Sequence, residues 1–412
     1  MIQEAAFPMD CLAAAASETG HSFATRAVHG GREDLRGLGV HAPPIDLSST
    51  YPIQDLALGG LDLENMAMGG HPQTTPVYSR LHNPTVARFE KALAQLERMA
   101  EAVAFSSGMA AVTAVLMAVR GRTEPGNPGH VVAVRPLYGG TDHLIASGML
   151  GLDVSWVRSE GIREALRPDT GLVMLETPAN PTLALVDLEQ VVEQAGTVPV
   201  MVDNTFATPV LQNPAQQGAA FVLHSATKFI GGHGDVLAGV VASNEEWARE
   251  LRKVRVITGN VLHPMAAYLL HRGLPTLPIR VRQAQEGARF LVERLRGHPK
   301  AEAVFFPGSG GPLEQAILEK QMKGPGAVFA FILGGGFQAA SRLMAAVELM
   351  TPAVSLGSVD TLIQHPAGLT HRVVEAGARN GAGICDGLIR ISVGLEDPAD
   401  LWADLEAALE KV

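Results

Sequence analysis

Residues 198–233 read VPVMVDNTFATPVLQNPAQQGAAFVLHSATKFIGGH and contain two short apolar runs that each stop at polar residues. The first run ends in the carboxylate of Asp203, and Lys228 follows a few residues after the second. Valine-rich runs of this length are typical of buried strands. In sheets of parallel strands, ligands bind beyond the carboxyl ends of the strands, so Asp203 and Lys228 are the first candidate site residues.

Further apolar runs flank this stretch, and helical segments separate them. Ahead of them, Asn83 is a suitable N-cap and Pro84 suits the first turn of a helix. Repeated strand–helix alternation predicts an α/β fold with a mostly parallel seven-stranded sheet and helices on both faces. The predicted strands are Glu101–Phe105, His130–Val134, Asp153–Val157, Gly171–Glu176, Val198–Asp203, Phe221–Ser225 and Gly239–Ser243.

The sequence divides into three parts. Residues 1–75 are rich in glycine and proline, which predicts an irregular N-terminal arm. Residues 76–275 contain the seven strands and form the predicted large domain. Residues 276–412 predict a smaller C-terminal α+β domain, since helical stretches there alternate with only a few strands. Its predicted elements are the helices Ile279–Arg296 and Gln338–Leu349 and the strands Ala327–Leu333 and Leu388–Val393.

The composition excludes several classes of protein. A chain of 412 residues with 47% hydrophobic residues has enough apolar material for a large core, which excludes wholesale disorder. A net charge of -10 disfavours a nucleic-acid binder, because such proteins usually carry a basic surplus. Cys11 and Cys385 cannot supply a disulfide framework or a four-cysteine zinc site, so we expect a reducing compartment and no metal.

The sequence contains no apolar stretch of membrane-spanning length. The small-residue run Ala13–Ala16 has no basic segment ahead of it, as a secretory signal would require. We therefore expect a cytoplasmic protein without a membrane partner.

Three turns after predicted strands carry chemistry, and each also has an ordinary structural interpretation. The small residues Ser107, Gly108 and Met109 open a helix, where backbone N–H groups can bind an anion, although such turns also serve as connectors. Tyr138 lies beside two glycines and could stack on a flat ligand or fill the core. Asn180 stands between two prolines, which fits either a rigid loop that aims its amide or a simple turn.

The remaining two strand ends carry charge. Asp203 ends an apolar strand, and a buried carboxylate needs a cationic partner unless it simply caps the segment after Asn204. Lys228 is surrounded by apolar residues, which would lower its pKa and make it nucleophilic, while the alternative is a surface lysine. The hydroxyls of Ser225 and Thr227 lie close by in sequence.

Four of these five features together match the needs of one cofactor. Pyridoxal phosphate requires a turn that binds its phosphate, a surface that stacks on its ring, a carboxylate opposite its pyridine nitrogen and a lysine that forms a Schiff base with its aldehyde. The carboxylate keeps the ring protonated and hence able to accept electrons. The sequence therefore predicts pyridoxal 5'-phosphate as cofactor.

A longer series of short motifs points to a known family. The motifs are Tyr78-Ser79-Arg80, Asn83-Pro84-Thr85, Ser107-Gly108-Met109-Ala110, Tyr138-Gly139-Gly140-Thr141, Pro178-Ala179-Asn180-Pro181, Val202-Asp203-Asn204-Thr205, Ser225-Ala226-Thr227-Lys228, Ser355-Leu356-Gly357, His365-Pro366 and Arg390-Ile391-Ser392-Val393-Gly394. From about Ala24 onward the chain resembles the Cys/Met-metabolism branch of pyridoxal-phosphate enzymes, the trans-sulfuration enzymes. The resemblance implies the aminotransferase-type fold, also called fold type I.

The resemblance also implies a role for each matching residue. Lys228 corresponds to the Schiff-base lysine, Asp203 to the partner of the pyridine nitrogen and Tyr138 to the stacking residue that assists proton transfer. Ser107, Gly108, Met109, Ser225 and Thr227 correspond to residues around the phosphate. Tyr78 and Arg80 correspond to a pair that reaches the phosphate in a neighbouring subunit, which implies a homo-oligomer, a dimer of active dimers. The residues that correspond to ligands of the ring oxygen or the substrate carboxylate are Asn180, Ser355 and Arg390.

Two positions bear on the substrate, and they point in different directions. Gly140 stands where methionine γ-lyases typically have cysteine, which resembles the cystathionine-handling enzymes. Val354 stands where those enzymes typically have a glutamate, and it suits an apolar S-alkyl chain, as in methionine γ-lyases. The resemblance thus implies γ-elimination on a methionine-like or cystathionine-like amino acid. Two alternatives are γ-replacement on an activated homoserine and, outside this class, a Rossmann-type nucleotide-binding module.

Overall fold

The computed structural model describes residues 20–122 and 129–412. Cys11 and the run Ala13–Ala16 lie outside the described residues. Within the described part of the chain, seven strands form one sheet and five shorter strands form a second. No helix of this part is long and apolar enough to span a bilayer.

The large sheet contains the seven predicted strands. Its order is β1-β7-β6-β5-β4-β2-β3, and its neighbouring pairs are parallel except that β7 is antiparallel to both β6 and β1. The predicted bounds are correct to within two residues. The strands are β1 (Glu101–Phe105), β2 (His130–Val134), β3 (Asp153–Val157), β4 (Thr170–Glu176), β5 (Val200–Asp203), β6 (Phe221–His224) and β7 (Gly239–Ser243).

Helices cover both faces of this sheet. They are α1 (Phe23–His29), α2 (Leu35–Leu38), α3 (Leu56–Ala67), α4 (Pro84–Glu97), α5 (Gly108–Arg120), α6 (Gly139–Ala146), α7 (Ile162–Ala165), α8 (Leu188–Ala195), α9 (Thr208–Leu211), α10 (Glu245–Thr258) and α11 (Pro264–Gly273). As predicted, Asn83 caps α4, and its side chain accepts hydrogen bonds from the N–H groups of Thr85 and Val86.

Side chains alternate between the two faces of the sheet, as strand geometry requires. Leu223 of β6 packs in a core with residues of α5 and α10, whereas Val222 packs on the other side with residues of α4 and α11. Both side chains are fully buried, as expected for a central strand that is covered on both faces. This double burial leaves the polar residues after each strand at the edge of the sheet.

The second sheet has the order β10-β11-β12-β9-β8 and confirms the smaller C-terminal α+β unit. Its strands are β8 (Ala301–Phe305), β9 (Val328–Leu333), β10 (Thr351–Pro352), β11 (Leu362–Gln364) and β12 (Leu388–Ser392). The helices around it are α12 (Leu277–Leu295), α13 (Pro312–Gln321), α14 (Gly336–Ala346), α15 (Ala376–Gly381) and α16 (Pro398–Glu410). The two predicted strands correspond to β9 and β12.

The N-terminal segment is less irregular than its composition predicts, because α1, α2 and α3 lie within it. Asp55 caps α3 by accepting a hydrogen bond from the N–H of Leu58 at 2.9 Å. The buried carboxylate of Asp62 accepts the N–H groups of Gln73 and Thr75 and so ties the following loop to this helix. A row of leucines on α3 stays exposed in the single chain: Leu56, Leu58, Leu61 and Leu63.

Candidate active site

A cavity of about 480 Å³ lies at the carboxyl ends of the strands of the large sheet. The loops after β1, β2, β4, β5 and β6 and the second sheet supply its walls. All of the predicted site residues except Tyr78 and Arg80 line it: Ser107, Gly108, Met109, Tyr138, Asn180, Asp203, Ser225, Thr227, Lys228, Val354, Ser355 and Arg390. The structure thus brings together side chains that the sequence spreads over almost 300 positions.

Lys228 lies in a turn that begins directly after β6, and its ammonium nitrogen Nζ is 2.6 Å from the Oγ of Ser355. Burial, with a smaller contribution from the positive charge of Arg390, lowers the pKa of Lys228 to about 8. At pH 7, roughly a tenth of a lysine with this pKa is free amine, far more than for an unperturbed lysine. The amine can therefore act as a nucleophile or as a base.

Ser355 has an unusual backbone conformation, with φ at 97°. A residue other than glycine is strained in this region, and such strain persists only where surrounding contacts hold it. The guanidinium of Arg390 donates to the carbonyl oxygen of Ser355 at 2.5 Å, and the side chain of Ser392 accepts the N–H of Gly357 at 2.8 Å. These contacts aim the Ser355 hydroxyl at Lys228.

Asp203, the last residue of β5, is fixed by its neighbour Thr205. Its Oδ1 accepts the N–H of Thr205 at 3.0 Å and the hydroxyl of Thr205 at 2.5 Å, and that hydroxyl in turn accepts the N–H of Ser225 at 2.8 Å. Burial raises the pKa of Asp203, and the hydrogen bonds from Thr205 oppose this shift. The carboxylate forms no ion pair with a lysine or arginine of the described residues, so a cationic ligand atom would stabilise it.

Glu176 is a second carboxylate in the cavity, and the sequence analysis did not single it out. It ends β4 and pairs in register with Asp203 on β5. Its two oxygens accept the N–H groups of Tyr138, at 2.9 Å, and of Asn180. Burial and the neighbouring charge of Asp203 raise the pKa of Glu176 to about 8. The only sequence signal for it was its position at a strand end, directly before the Asn180 loop.

Arg390 lies on the central strand β12 of the second sheet and is almost fully buried. It donates to the Oδ1 of Asn180 at 2.8 Å, and the amide oxygen of Gln364 accepts from it at 3.1 Å. Burial lowers the pKa of Arg390 to about 10, and the nearby Glu176 opposes this shift. A guanidinium held by neutral oxygens in a cavity is suited to bind a carboxylate in bidentate fashion.

The opposite end of the cavity is the N-terminus of α5. The Oγ of Ser107 accepts the N–H of Ala110 at 3.1 Å, whereas the preceding N–H groups, of Gly108 and Met109, have no acceptor inside the helix. A Cβ on Gly108 would lie 3.0 Å from the Cβ of Ser225, so glycine permits this close approach. Thr227, the other predicted hydroxyl, is bonded to both backbone groups of Ala238. This end of the cavity is suited to an anion.

The ring of Tyr138 stands over Gly140 at the start of α6. A Cβ on Gly140 would lie 2.6 Å from the Cε1 of Tyr138 and 3.3 Å from the sulfur of Met109. Glycine therefore gives the tyrosine ring the space that a larger side chain would take. The ring remains 40% exposed at the cavity, which does not support the alternative of a buried core tyrosine.

Tyr78 and Arg80 lie outside the cavity of their own chain. The guanidinium of Arg80 is 5.6 Å from the centre of the Tyr78 ring and donates to the carbonyl oxygen of Val256 at 2.7 Å. Tyr78 is 44% exposed. The structure thus keeps this pair together on the surface, away from Lys228 and Asp203.

Comparison with known proteins decides between the classes of site. Residues 24–410 match the family of Cys/Met metabolism PLP-dependent enzymes. The chain belongs to this family. Its cofactor is therefore pyridoxal 5'-phosphate, and the alternative of a nucleotide-binding module is wrong.

Individual members of the family are similar over nearly the whole chain. An L-methionine gamma-lyase of Brevibacterium sandarakinum is 56% identical over 94% of this chain and 97% of its own length. The structure of a cystathionine gamma-lyase from Micromonospora echinospora has a TM-score of 0.85 at 41% identity and covers 95% of this chain and 100% of its own. A cystathionine gamma-synthase structure from Xanthomonas oryzae pv. oryzae has a TM-score of 0.87 at 36% identity and covers 95% and 98%, respectively.

The cavity fits the cofactor of this family on three independent observations. Asp203 is a carboxylate without an ion pair to a lysine or arginine of the described residues, the start of α5 offers N–H groups without acceptors inside the helix, and Lys228 has a lowered pKa. These features suit a pyridinium nitrogen, a phosphate and an aldehyde, respectively. The same fold carries lyases and a synthase, so the fold alone does not identify the reaction.

Proposed function

We propose that the protein catalyses γ-elimination on methionine, in which methionine and water give methanethiol, ammonia and 2-oxobutanoate. The observation that carries this proposal is the apolar wall formed by Val354 and Leu237, in a cavity that also contains the buried fork of Arg390. Arg390 suits the α-carboxylate that all amino-acid substrates share, and the apolar wall suits a thioether. The 56% identity to a protein named L-methionine gamma-lyase supports the same substrate.

The cavity residues divide into five roles in this reaction. Lys228 would anchor the cofactor covalently, Asp203 would pair with its ring nitrogen, and the ring of Tyr138 would stack on it. Asn180, Ser355 and Arg390 orient the substrate carboxylate and the ring oxygen. The group around the phosphate consists of Ser107, Gly108, Met109, Ser225 and Thr227. When bound, pyridoxal phosphate supplies an electron sink that makes protons near the substrate amine acidic.

The side chains of this protein move the protons. The amine of Lys228, with a pKa of about 8, removes the proton from Cα once the substrate amine has displaced it. Ser355, at 2.6 Å from this amine, keeps it directed into the cavity. Loss of a second proton, from Cβ, supplies the electron pair that expels the sulfur from Cγ, and the hydroxyl of Tyr138 donates a proton to the departing sulfur, so that a neutral thiol leaves.

The main alternative is γ-replacement on an activated homoserine, which would use the same residues. The two reactions differ in whether the amino acid is consumed. We therefore propose to supply methionine, cystathionine, homocysteine and cysteine separately and to measure the keto acid. In a parallel assay, O-acetylhomoserine and a thiol are supplied, and a new thioether amino acid without keto acid would contradict the lyase proposal.

Val354 is the basis of a prediction on specificity. Its side chain is 53% exposed at the cavity and offers no partner to a second ammonium group, which would lose hydration on entering. We expect methionine or homocysteine to be turned over at least as well as cystathionine. Because a charge-assisted hydrogen bond contributes about 1.5–3 kcal/mol, Val354→Glu should shift the ratio of kcat/KM values toward cystathionine by about tenfold or more.

Val354→Gln is the matched control for this test, since it has the shape of glutamate without the charge. It should lower methionine turnover without a gain for cystathionine. A wild-type protein that prefers cystathionine by an order of magnitude or more in kcat/KM would show that another residue binds the distal ammonium.

The proposal extends to the assembly. The active unit is a dimer with shared sites, and two such dimers form a tetramer in a cytoplasmic enzyme. Two features support the dimer: Tyr78 and Arg80 lie on the surface away from their own cavity, and the leucines of α3 are exposed in the single chain. The same proposal keeps the three-part division into an arm at 1–75, a large domain at 76–275 and a C-terminal domain at 276–412.

A mixture of two inactive variants tests the shared site. Arg80→Ala chains retain Lys228, and Lys228→Ala chains retain Arg80, so one of the two sites in a hybrid dimer receives both residues. After dissociation and random reassociation at equal amounts, about a quarter of wild-type activity should return, because half of the dimers are hybrids with one complete site each. Hybrid dimers that form, as native mass spectrometry can show, but stay inactive would contradict the shared site.

A further inference from the structure

Glu97, the last residue of α4, is a fully buried carboxylate outside the cavity. It accepts hydrogen bonds from the Nε2 of His224 at 2.5 Å and from the side-chain amides of Asn204 and Asn213, both at 3.2 Å. Leu223 lines the cavity, and successive side chains of a strand point to opposite faces. His224 and Glu97 therefore lie behind the sheet, on the face away from the cavity.

The hydrogen bonds around Glu97 connect the ends of three strands that carry the site. Asn204 follows Asp203 at the end of β5, and its side chain is bonded at 2.9 Å to the amide of Gln212. Gln212 also donates to the carbonyl oxygen of Thr177, directly after β4, at 3.0 Å. His224 ends β6 immediately before the segment that contains Lys228. The network thus joins the loops of Asn180, Asp203 and Lys228 on the face of the sheet that is turned away from the cavity.

The charges in this network bear on Asp203. Three N–H donors stabilise the carboxylate form of Glu97, and a buried negative charge needs a compensating positive one. His224 faces Glu97 with its Nε2, and its Nδ1 has no hydrogen-bond partner among the described residues. Burial raises the pKa of Asp203, and a charge on His224 opposes this shift. Lys323 is a further charged side chain close to Glu97, and Arg98 follows Glu97 in the chain.

We propose that Glu97 and His224 are positioning residues that fix the three strand ends and keep Asp203 ionised opposite the ring nitrogen of the cofactor. The pair acts through Asp203 and does not touch the substrate. The inference rests on the proposed role of Asp203 and is independent of methionine as the substrate.

Cofactor binding to the purified protein tests this proposal without turnover. The test variant is Glu97→Gln, and the control is Glu101→Gln, because Glu101 is also an ion-paired carboxylate, with Arg252, but lies at the start of β1. We expect Glu97→Gln to weaken the binding of pyridoxal phosphate to the apoprotein about tenfold, whereas Glu101→Gln should stay within about twofold.

The pH titration of the absorption of the bound cofactor separates positioning from stability. If Asp203 is less ionised, the ring nitrogen carries less positive charge, and the nitrogen that joins Lys228 to the cofactor is easier to protonate. The pKa of the nitrogen that joins Lys228 to the cofactor should therefore rise by about half a unit or more in Glu97→Gln. His224→Gln, which removes the imidazole next to Glu97 and its effect on the pKa of Asp203, should show the same shift and serves as the second variant if Glu97→Gln does not fold.

Three outcomes would overturn the proposal. An unchanged titration in both variants, even with a lower melting temperature, would make the pair merely structural. An opposite shift would contradict the sign of the charge on His224. An equal shift in Glu101→Gln would show that any lost carboxylate has this effect. If the expected shift appears but methionine is not consumed, the proposed substrate fails and this inference stands.

Discussion

Lys228→Ala is expected to fold normally, to bind pyridoxal phosphate without a covalent bond and to lose methionine turnover by at least about a thousandfold. The variant loses both the anchor of the cofactor and the base that lies at 2.6 Å from Ser355. The fold should persist because the turn around residue 228 is held by backbone bonds and by Arg280, which donates to the carbonyl oxygen of Phe229 at 2.6 Å. Turnover, cofactor absorption and thermal melting measure the three expectations.

A chemical label identifies the anchoring lysine independently. Borohydride reduction of the wild-type protein should attach the cofactor permanently to the peptide that contains Lys228. Lys253→Ala is the control, because Lys253 is ion-paired with Glu250 on α10 and should be dispensable. A label on Lys253 or Lys91, or near-normal turnover by Lys228→Ala, would contradict the assignment.

Asp203→Asn is expected to retain the cofactor but to lower kcat/KM by at least about a hundredfold, which corresponds to about 3 kcal/mol of transition-state stabilisation. An amide oxygen can still accept the two hydrogen bonds from Thr205, so the loop should keep its shape. The amide lacks the negative charge that keeps a ring nitrogen protonated, and this loss of charge is the reason for the effect.

Glu176→Gln is the matched control for Asp203→Asn, since it changes the neighbouring buried carboxyl of the same cavity. Burial and the charge of Asp203 raise the pKa of Glu176 to about 8, so its negative charge is less favoured than that of an ordinary carboxylate, and an amide loses only one of its two N–H contacts. Its replacement should therefore cost much less activity. Near-normal turnover by Asp203→Asn would show that Asp203 only shapes the loop.

The strands and their ends could be predicted because a strand that is buried on both faces appears in the sequence as a continuous apolar run. β5 and β6 are valine-rich runs of strand length, and the polar residues after them had to lie at one edge of the sheet. Asp203 and Lys228 therefore lie in one cavity, as the sequence predicted. The match to the family then added Ser355 and Arg390, which come from the second sheet and have no such local signal.

Other features depend on contacts that no local pattern reveals. The first turns of α3 contain Gly59 and Gly60, which are poor helix formers, and the helix is held by its cap and by the loop bonded to Asp62. The strands β10 and β11 are two and three residues long, too short for periodicity. Glu97 is distant in sequence from its partner His224, so its role behind the sheet became visible only in three dimensions.

The antiparallel strand β7 determines when the site can form during synthesis. β1 pairs only with β7 within the described sheet, and Phe105 meets Gly239, which the ribosome adds more than a hundred residues later. At about 5–20 residues per second, the emerging chain leaves the edge of β1 unpaired for several seconds or longer. Because the proposed phosphate-binding turn follows β1 directly, we expect a nascent chain that ends before β7 not to retain the cofactor and to expose an apolar strand that chaperones can bind.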